Sequence, residues 1–123
     1  YTEIKSPKYG DCVVTHSGIH CGSYIRNADR TINITESIMN AARRDEYRFL
    51  ISPDIHNVPF ADKKAFDRYV FCGHVTTNRL NEDHSYNVYK TPYYMDLDCG
   101  NGERYRGGKL ACYCVDEDRV VYI

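Results

Sequence analysis

One segment of the chain has the periodicity of an amphipathic helix, and this limits the folds open to the rest. In NITESIMNAARRDEY (33–47), Asn33 suits the N-cap position and Glu36 follows at the spacing of a capping box. Asn33-Ile34-Thr35 is also a glycosylation sequon, although a helix cap accounts for the same residues. The two prolines of RFLISPDIHNVPF (48–60) then predict a short extended piece and a loop. The apolar helix face consists of Ile34, Ile38, Ala41 and Ala42.

Most other segments are short, rich in β-branched and aromatic residues, and separated by turn residues. DCVVTHSGIHCGSYI (11–25) predicts two strands around a turn at Ser17-Gly18, and RYVFCGHVTT (68–77) predicts another strand. From Tyr86 onward the pattern predicts a meander of antiparallel strands. We therefore expect a single domain, residues 1–123, with an α+β fold in which one α-helix packs on an antiparallel β-sheet.

The cysteine content favours an oxidising compartment and a disulfide-stabilised fold. Six cysteines in 123 residues are an even number at high density. Cys112 and Cys114 are one residue too close for the usual Cys-x-x-Cys zinc knuckle, so we predict disulfides and no metal or cofactor. Cys12 and Cys21 flank the predicted hairpin closely enough to clasp it, but the sequence cannot select among the pairings. The disulfide candidates are Cys12, Cys21, Cys72, Cys99, Cys112 and Cys114.

The charge balance excludes recruitment of nucleic acid by a global positive field. The chain has 16 basic and 17 acidic residues and a formal charge of −1, so any RNA contact must be local. The sequence has no apolar run of about 18 residues, and its first residues lack the apolar core of a signal peptide. We expect a soluble, monomeric, already processed protein that does not contact membranes.

The segment PYYMDLDCGNGERYRGG (92–108) is rich in tyrosine and glycine, and its spacing resembles a known pattern. It resembles the strand and loop of the small secreted guanyl-specific fungal ribonucleases, in which Pro-Tyr-Tyr begins a strand and Tyr-x-Gly-Gly follows. DRVVYI (118–123) resembles the next strand of that fold. CGSYIRNADRTINITESIMNAARRDEY (21–47) resembles its cysteine-glycine, loop and helix opening. The resemblance covers about half the chain and implies a ribonuclease-like fold. The matching residues of the first segment are Pro92-Tyr93-Tyr94, Gly102, Tyr105 and Gly107-Gly108.

The resemblance also implies a catalytic set from which this chain departs. RNA cleavage needs a base for the 2′-hydroxyl proton, an acid for the leaving oxygen and a cation for the phosphorane charge. In this family a glutamate, histidines and an arginine fill those roles. The arginine corresponds to Arg119, but Met95, which cannot take a proton, replaces the glutamate. The family's C-terminal histidine would lie beyond Ile123, and His74 is the best candidate for the other histidine. We therefore expect a pseudo-ribonuclease.

We call Met95, Arg119, His74 and Asp96 the vestigial site. The orientation of Asp96 decides whether this site could belong to an active enzyme. Strand alternation places Tyr93, Met95 and Leu97 on one face and Tyr94, Asp96 and Asp98 on the other. If Met95 faces the cleft, Asp96 faces the helix, where a buried carboxylate must be paired or neutral. A one-residue slip would instead make Asp96 a substitute base, giving a guanyl-preferring endoribonuclease that uses Arg119, His74 and Asp96. We expect scattered surface or turn positions for all five histidines: His16, His20, His56, His74 and His84.

A ribonuclease frame without its acid and base, rich in tyrosine and cysteine, resembles the RNase-like effectors that powdery mildew fungi secrete. This resemblance implies secretion, delivery into the host cell cytoplasm, and a virulence or avirulence role without ribonuclease activity. It also implies binding to a plant intracellular immune receptor or other host protein, or to host RNA or the ribosome. A disulfide-rich binding module unrelated to RNA is a further alternative.

The candidate binding residues combine aromatic and basic side chains. Such sets suit protein interfaces and also stack with single-stranded RNA, although an exposed hairpin end would have the same composition. They are Arg104, Tyr105, Arg106, Lys109 and Tyr93.

Overall fold

The structure is a computed structural model that describes residues 1–19, 21–45, 54–57 and 67–123. The strands in these ranges are β1 (Thr2–Ser6), β2 (Gly10–Val14), β3 (Tyr69–Cys72), β4 (Tyr89–Lys90), β5 (Tyr94–Asp96), β6 (Ala111–Cys114) and β7 (Arg119–Tyr122). The α-helices are α1 (Ile34–Arg44) and the single turn α2 (Asp54–Asn57), and short 3-10 helices lie at Cys21–Ser23, Thr77–Arg79 and Asn101–Arg106. None of these helices is long and apolar enough to cross a membrane.

Five of the strands form a mixed sheet in the order β1-β2-β3-β5-β4, and β6 pairs with β7 in a separate hairpin. The β1–β2, β4–β5 and β6–β7 pairings are antiparallel. The α+β class with a mainly antiparallel arrangement is therefore confirmed. The expectation of an antiparallel sheet is wrong at the centre, where β3 pairs parallel with both β2 and β5. From Tyr86 onward the strands pair antiparallel as predicted, but as two separate pairs, β4–β5 and β6–β7, and not as one continuous meander.

Helix α1 begins where the sequence predicts. The side chain of Asn33 accepts a hydrogen bond from the Glu36 amide at 3.0 Å, which satisfies an otherwise unpaired first-turn donor. The second half of the predicted capping box is not formed. The Asn33 amide donates to the Ile25 carbonyl at 2.8 Å and not to the Glu36 side chain. Of the range 48–60, which was predicted to be extended chain and loop, only 54–57 is described, and it forms a helical turn.

The first hairpin differs from the predicted one. The pair is β1 with β2, and Ser6 Oγ accepts hydrogen bonds from the Lys8 and Tyr9 amides in the turn between them. The chain does bend at His16-Ser17, and Gly18 adopts a φ of +92°, but the described residues after this bend do not return beside β2. The physical reason is that both edges of β2 are already occupied, by β1 on one side and β3 on the other.

The central strands bury both faces, which gives the molecule two cores. One, the helix-side core, contains Val13, Val70 and Tyr94 together with Ile34 and Ile38 of α1. The other, the hairpin-side core, consists of Cys12, Tyr69, Phe71 and Met95, with Tyr9, Leu97 and Tyr113 among the residues packed against it. Side chains alternate between the two cores along β2, β3 and β5, as the period of a strand requires.

The prediction of disulfides is wrong for the five cysteines whose side chains the structure describes, because all five are free thiols. Cys12 lies in the hairpin-side core and Cys72 in the helix-side core, so the sheet separates them. Cys112 and Cys114 lie two residues apart on β6 and therefore on the same face. At that spacing they are about 7 Å apart, whereas a disulfide needs Cβ atoms about 4 Å apart. Cys99 is buried just after β5. The side chain of Cys21 lies outside the described part.

Candidate functional site

The face on which the resemblance places the catalytic base is filled by side chains. Met95 has 0% of its surface exposed and lies in the hairpin-side core with Phe71 and Tyr69. Tyr9 stacks on Tyr69 with ring centroids 3.9 Å apart, and the Tyr113 ring lies 5.4 Å from that of Phe71. A thioether adapts well to such an aromatic environment, which is where methionine is commonly found. Met95 is therefore a core residue and does not line an open cleft.

Arg119 lies on the exposed surface of the β6–β7 hairpin, which covers this same face through Tyr113. Its Nε donates to Glu117 Oε2 at 2.9 Å. The neighbouring Asp118 accepts a hydrogen bond from Tyr113 at 2.8 Å and pairs with Lys8, which ties the hairpin to the β1–β2 turn. The hydrogen bond from Lys8 lowers the pKa of the Asp118 carboxyl.

His74, the proposed family histidine, contacts another histidine instead of Arg119 or Met95. Its Nδ1 lies 3.1 Å from Nε2 of His16, and the neighbouring Gly73 amide donates to the His16 carbonyl at 2.8 Å. These residues follow the carboxyl ends of the parallel strands β2 and β3. His16 is exposed and His74 half-buried, so both lie at or near the surface as expected, but their mutual contact shows that they are not scattered.

Asp96 faces the helix side of the sheet, as strand alternation predicts, and is completely buried. Its Oδ2 lies 2.9 Å from Nε2 of His56 on α2 and accepts from Cys72 Sγ at 3.9 Å. Its Oδ1 accepts from the Asp98 amide at 2.8 Å. The buried carboxylate is thus paired, which is the condition that burial imposes. We call His56, Cys72 and Asp96 the buried triad.

The buried triad brings together three elements of different sequence position. His56 comes from α2, Cys72 from the end of β3 and Asp96 from the end of β5, and His56 Nδ1 also lies 3.1 Å from the Tyr94 hydroxyl. Burial raises the pKa of the Cys72 thiol, and the adjacent Asp96 carboxylate adds to that shift. Burial likewise raises the pKa of the Tyr94 hydroxyl. A raised pKa disfavours the thiolate, so these surroundings do not activate Cys72 as a nucleophile.

The predicted vestigial site does not converge on one cleft. Asp96 lies on the helix side of the sheet, whereas the hairpin that carries Arg119 packs on the opposite, Met95 side. An active ribonuclease with Asp96 as its base would need Asp96 and Arg119 on the same face of the sheet. Sequence reasoning missed His56, which was expected at the surface and whose side chain is only 6% exposed beside Asp96. It also missed Cys72, whose thiol donates to Asp96. One indication of such a partner was available in the sequence, because a buried Asp96 carboxylate was expected to be paired or neutral.

The candidate binding loop is held by glycines at its two ends. Gly100 and Gly107 adopt φ angles of +69° and +95°, and the 3-10 helix Asn101–Arg106 lies between them. Tyr86 packs on Gly100, where a Cβ would lie 2.5 Å from the ring, and the Tyr86 hydroxyl donates to Glu103 at 2.7 Å. The Gly108 amide donates to the Glu103 carbonyl at 3.1 Å. Gly100, Gly107 and Gly108 thus occur where this loop needs a positive φ angle or has no room for a side chain.

Gly108→Ala tests this account of the loop. A Cβ at Gly108 would lie 1.9 Å from the Gly100 carbonyl oxygen, so the backbone must move. We expect a loss of about 2 kcal/mol or more in the free energy of unfolding, measured by urea denaturation. Gly102→Ala is the matched control, because a Cβ there meets nothing within 4 Å, and it should change stability by less than about 1 kcal/mol. Equal effects of the two substitutions would contradict the account.

The loop presents most of the predicted binding residues to solvent. Tyr105 is 79% exposed, with the Arg106 guanidinium 5.2 Å from its ring centroid. Arg104 Nε donates to Asn101, and Lys109 Nζ donates to Asn87 and lies 4.7 Å from the Tyr122 ring centroid. Tyr93 lies outside this loop, and the expectation that it shares a face with Met95 and Leu97 is wrong. It precedes β5 and packs, half-buried, against the helix-side core, because the Thr91–Tyr93 turn displaces it from the strand.

The described residues have a concentration of exposed large hydrophobic side chains near the C-terminal hairpin. Five of the eight, namely Tyr105, Leu110, Val121, Tyr122 and Ile123, lie within 101–123. Leu110 and Ile123 exchange both backbone hydrogen bonds, at 3.1 and 2.8 Å, which brings the loop side and the end of β7 together. We call Arg104, Tyr105, Arg106, Lys109, Leu110, Tyr122 and Ile123 the loop–hairpin surface.

Comparison of the chain with protein-family models, with curated proteins and with solved structures found no significant match.

Proposed function

We propose that this chain is a secreted fungal effector with a ribonuclease-derived, non-catalytic scaffold, which acts inside plant cells by binding a host protein such as an intracellular immune receptor. One contrast carries the proposal. Met95, at the position of the catalytic base, is fully buried, whereas the loop–hairpin surface exposes aromatic and aliphatic side chains. The sequence resemblance to the fungal ribonucleases and to RNase-like effectors supplies the biological setting.

The composition of the loop–hairpin surface favours a protein over RNA as partner. Exposed tyrosine and aliphatic side chains supply rigid, amphipathic contact area, and arginine is enriched in the same kind of interface. The surface itself carries three basic residues and no acidic one, whereas the wider segment 101–123 has four of each. Three cations allow only modest counterion release on binding a polyanion, and two of them, Arg104 and Lys109, already hydrogen-bond to asparagine side chains. This supports hydrophobic and hydrogen-bonded recognition of a folded partner.

The RNA-binding alternative rests on one specific contact, the Arg106 guanidinium against the exposed Tyr105 ring. A base could stack on Tyr105 while Arg104 and Arg106 contact phosphates. This alternative predicts affinity for single-stranded RNA that decreases with salt and is abolished by Arg104→Ala plus Arg106→Ala. Salt-insensitive or unchanged affinity in that variant would reject it.

We expect Tyr105→Ala combined with Ile123→Asp to weaken partner binding strongly. The chain, fused to a biotin ligase, would be expressed in leaf cells, and host proteins labelled by the unmodified chain would be purified and their affinities measured. Removing a central aromatic contact and adding a charge should weaken the specific interaction about 30-fold or more. Met39→Asp is the matched control, because Met39 is an exposed hydrophobic residue on α1, and it should leave the affinity unchanged.

Two outcomes would reject the proposal. One is that every labelled host protein binds the double variant as well as the unmodified chain. The other is that the unmodified chain cleaves RNA, which would establish an enzyme in place of a binding protein.

A further inference from the structure

The buried triad has the donor set and the convergence of a metal site. The ligand atoms of His56, Cys72 and Asp96 all lie within 4.8 Å of one another. Two of the distances are 2.9 Å, from His56 Nε2 to Asp96 Oδ2, and 3.9 Å, from that oxygen to Cys72 Sγ. Ligands bound to one tetrahedral ion at about 2.0 to 2.3 Å are separated by about 3 to 4 Å. Small side-chain movements therefore suffice to admit an ion.

We propose that the buried triad binds one Zn²⁺ ion through His56 Nε2, Cys72 Sγ and Asp96 Oδ2. The mixture of a thiolate, an imidazole and a carboxylate suits zinc, whereas magnesium and calcium prefer oxygen ligands alone. Three protein ligands occupy three of the four positions of a tetrahedral ion. This inference is independent of the proposed binding function.

Charge balance explains how such a site is tolerated inside the helix-side core. Asp96 and Cys72 are 0% and 5% exposed, so an isolated ion or an isolated thiolate there would be costly. A zinc ion with one thiolate, one carboxylate and a neutral imidazole forms a group of zero net charge. A metal ion also deprotonates a thiol that binds it. The ion and its ligands therefore compensate each other.

The surrounding hydrogen bonds orient the ligands in the manner of known metal sites. The second imidazole nitrogen, Nδ1, lies 3.1 Å from the Tyr94 hydroxyl, which fixes the ring. The Asp98 amide holds the other carboxylate oxygen, Oδ1, at 2.8 Å. The first contact leaves His56 Nε2, and the second leaves Asp96 Oδ2, available to bind an ion that lies between the three ligands.

The same geometry argues against a cysteine nucleophile relay. In a relay, the acid contacts one imidazole nitrogen and the nucleophile contacts the other. Here Asp96 lies at Nε2, and Tyr94, not Cys72, lies at Nδ1. The Cys72 thiol donates to the same Asp96 oxygen that faces the imidazole. The three groups converge on a point and are not arranged in series.

The ion would have a structural role, because it joins the single-turn helix α2 to the ends of β3 and β5. Metal binding that occurs only in the folded state stabilises that state. We therefore expect the melting temperature of the unmodified protein to rise with added zinc and to fall on addition of a chelator.

Cobalt substitution tests the site directly. Reduced, metal-free protein is titrated with Co²⁺, and the expected result is one equivalent bound, with visible bands of tetrahedral cobalt and a near-ultraviolet thiolate charge-transfer band. Cys72→Ser should abolish the charge-transfer band and weaken Zn²⁺ affinity at least about 100-fold, and Tyr94→Phe should weaken it about 10-fold or more. Cys99→Ser, which alters another buried free thiol, should preserve both the band and the affinity.

X-ray absorption at the zinc edge of the unmodified protein makes the test independent of whether the variants fold. The proposal predicts one sulfur ligand at about 2.3 Å and the remaining ligands as nitrogen or oxygen at about 2.0 to 2.1 Å. A shell with no sulfur, or with two sulfurs as Cys112 and Cys114 would provide, overturns it. So does a folded protein that binds no cobalt or zinc, or a charge-transfer band that is lost in Cys99→Ser.

Discussion

Asp96→Ala is expected to lower the free energy of unfolding by about 3 to 5 kcal/mol, measured by urea denaturation at pH 7 with a chelator present. Asp96 is completely buried, its Oδ2 lies 2.9 Å from His56 Nε2, and its oxygens accept hydrogen bonds from the Cys72 thiol and the Asp98 amide. Removing the carboxylate takes away that partner from groups around a fully buried position. The loss therefore exceeds that of an ordinary surface substitution.

Controls separate the charge of Asp96 from its shape. Asp96→Asn retains an oxygen for the Asp98 amide but loses the charge that faces His56, so it should cost less than the alanine variant. Asp11→Ala should have little effect, because Asp11 lies at the surface in a loose pair with Lys5. Combining Asp96→Ala with His56→Ala should cost less than the sum of the two single changes. An Asp96→Ala loss below about 1 kcal/mol would contradict the buried pairing.

Met95→Glu, which restores the residue that the ribonuclease resemblance calls for, is expected to destabilise the protein without creating ribonuclease activity. Met95 is fully buried in the hairpin-side core with Cys12, Tyr69 and Phe71, so a glutamate there would place a carboxylate in a mainly apolar and aromatic environment. We expect a loss of about 3 kcal/mol or more at pH 7. RNA incubated with the variant should show no cleavage above that of buffer.

The stability of the Met95→Glu variant should decrease as the pH rises. Burial in an apolar environment raises the pKa of a carboxyl group above the value of about 4.3 that glutamate has in the unfolded chain. Between those two pKa values only the unfolded state ionises, so stability relative to the unmodified protein should fall by about 1.4 kcal/mol per pH unit above pH 4.3. Met95→Leu, which conserves volume, should cost less than about 1.5 kcal/mol at every pH. A pH-independent difference for Met95→Glu would mean that residue 95 contacts water.

Features encoded within a few neighbouring residues could be predicted from the sequence. The start of α1 follows from Asn33 and the apolar spacing of Ile34 and Ile38. The orientation of Asp96 away from Met95 follows from strand alternation alone. The glycines of the Asn101–Arg106 loop mark the positions where positive φ angles and close backbone packing occur.

Features that depend on distant chain segments could not be predicted. The parallel pairing of β3 with β2 and β5 depends on how the intervening chain crosses the fold, and Thr2–Ser6 has little apolar character to mark it as a strand. The contact of His56 with Asp96 joins residues 40 positions apart, and the alternative of a surface histidine fits the local sequence equally well. Disulfides were expected from composition, which does not report that Cys12 and Cys72 lie on opposite faces.

The absence of ribonuclease activity is the most direct test of the central claim that this chain is a non-catalytic binding protein. Purified unmodified protein is incubated with single-stranded RNA and guanylyl dinucleotides, with and without zinc, and products are separated by chromatography. The account predicts no 2′,3′-cyclic phosphate above the level formed in buffer. Cyclic phosphate that forms with the unmodified protein and disappears in Arg119→Ala would contradict it.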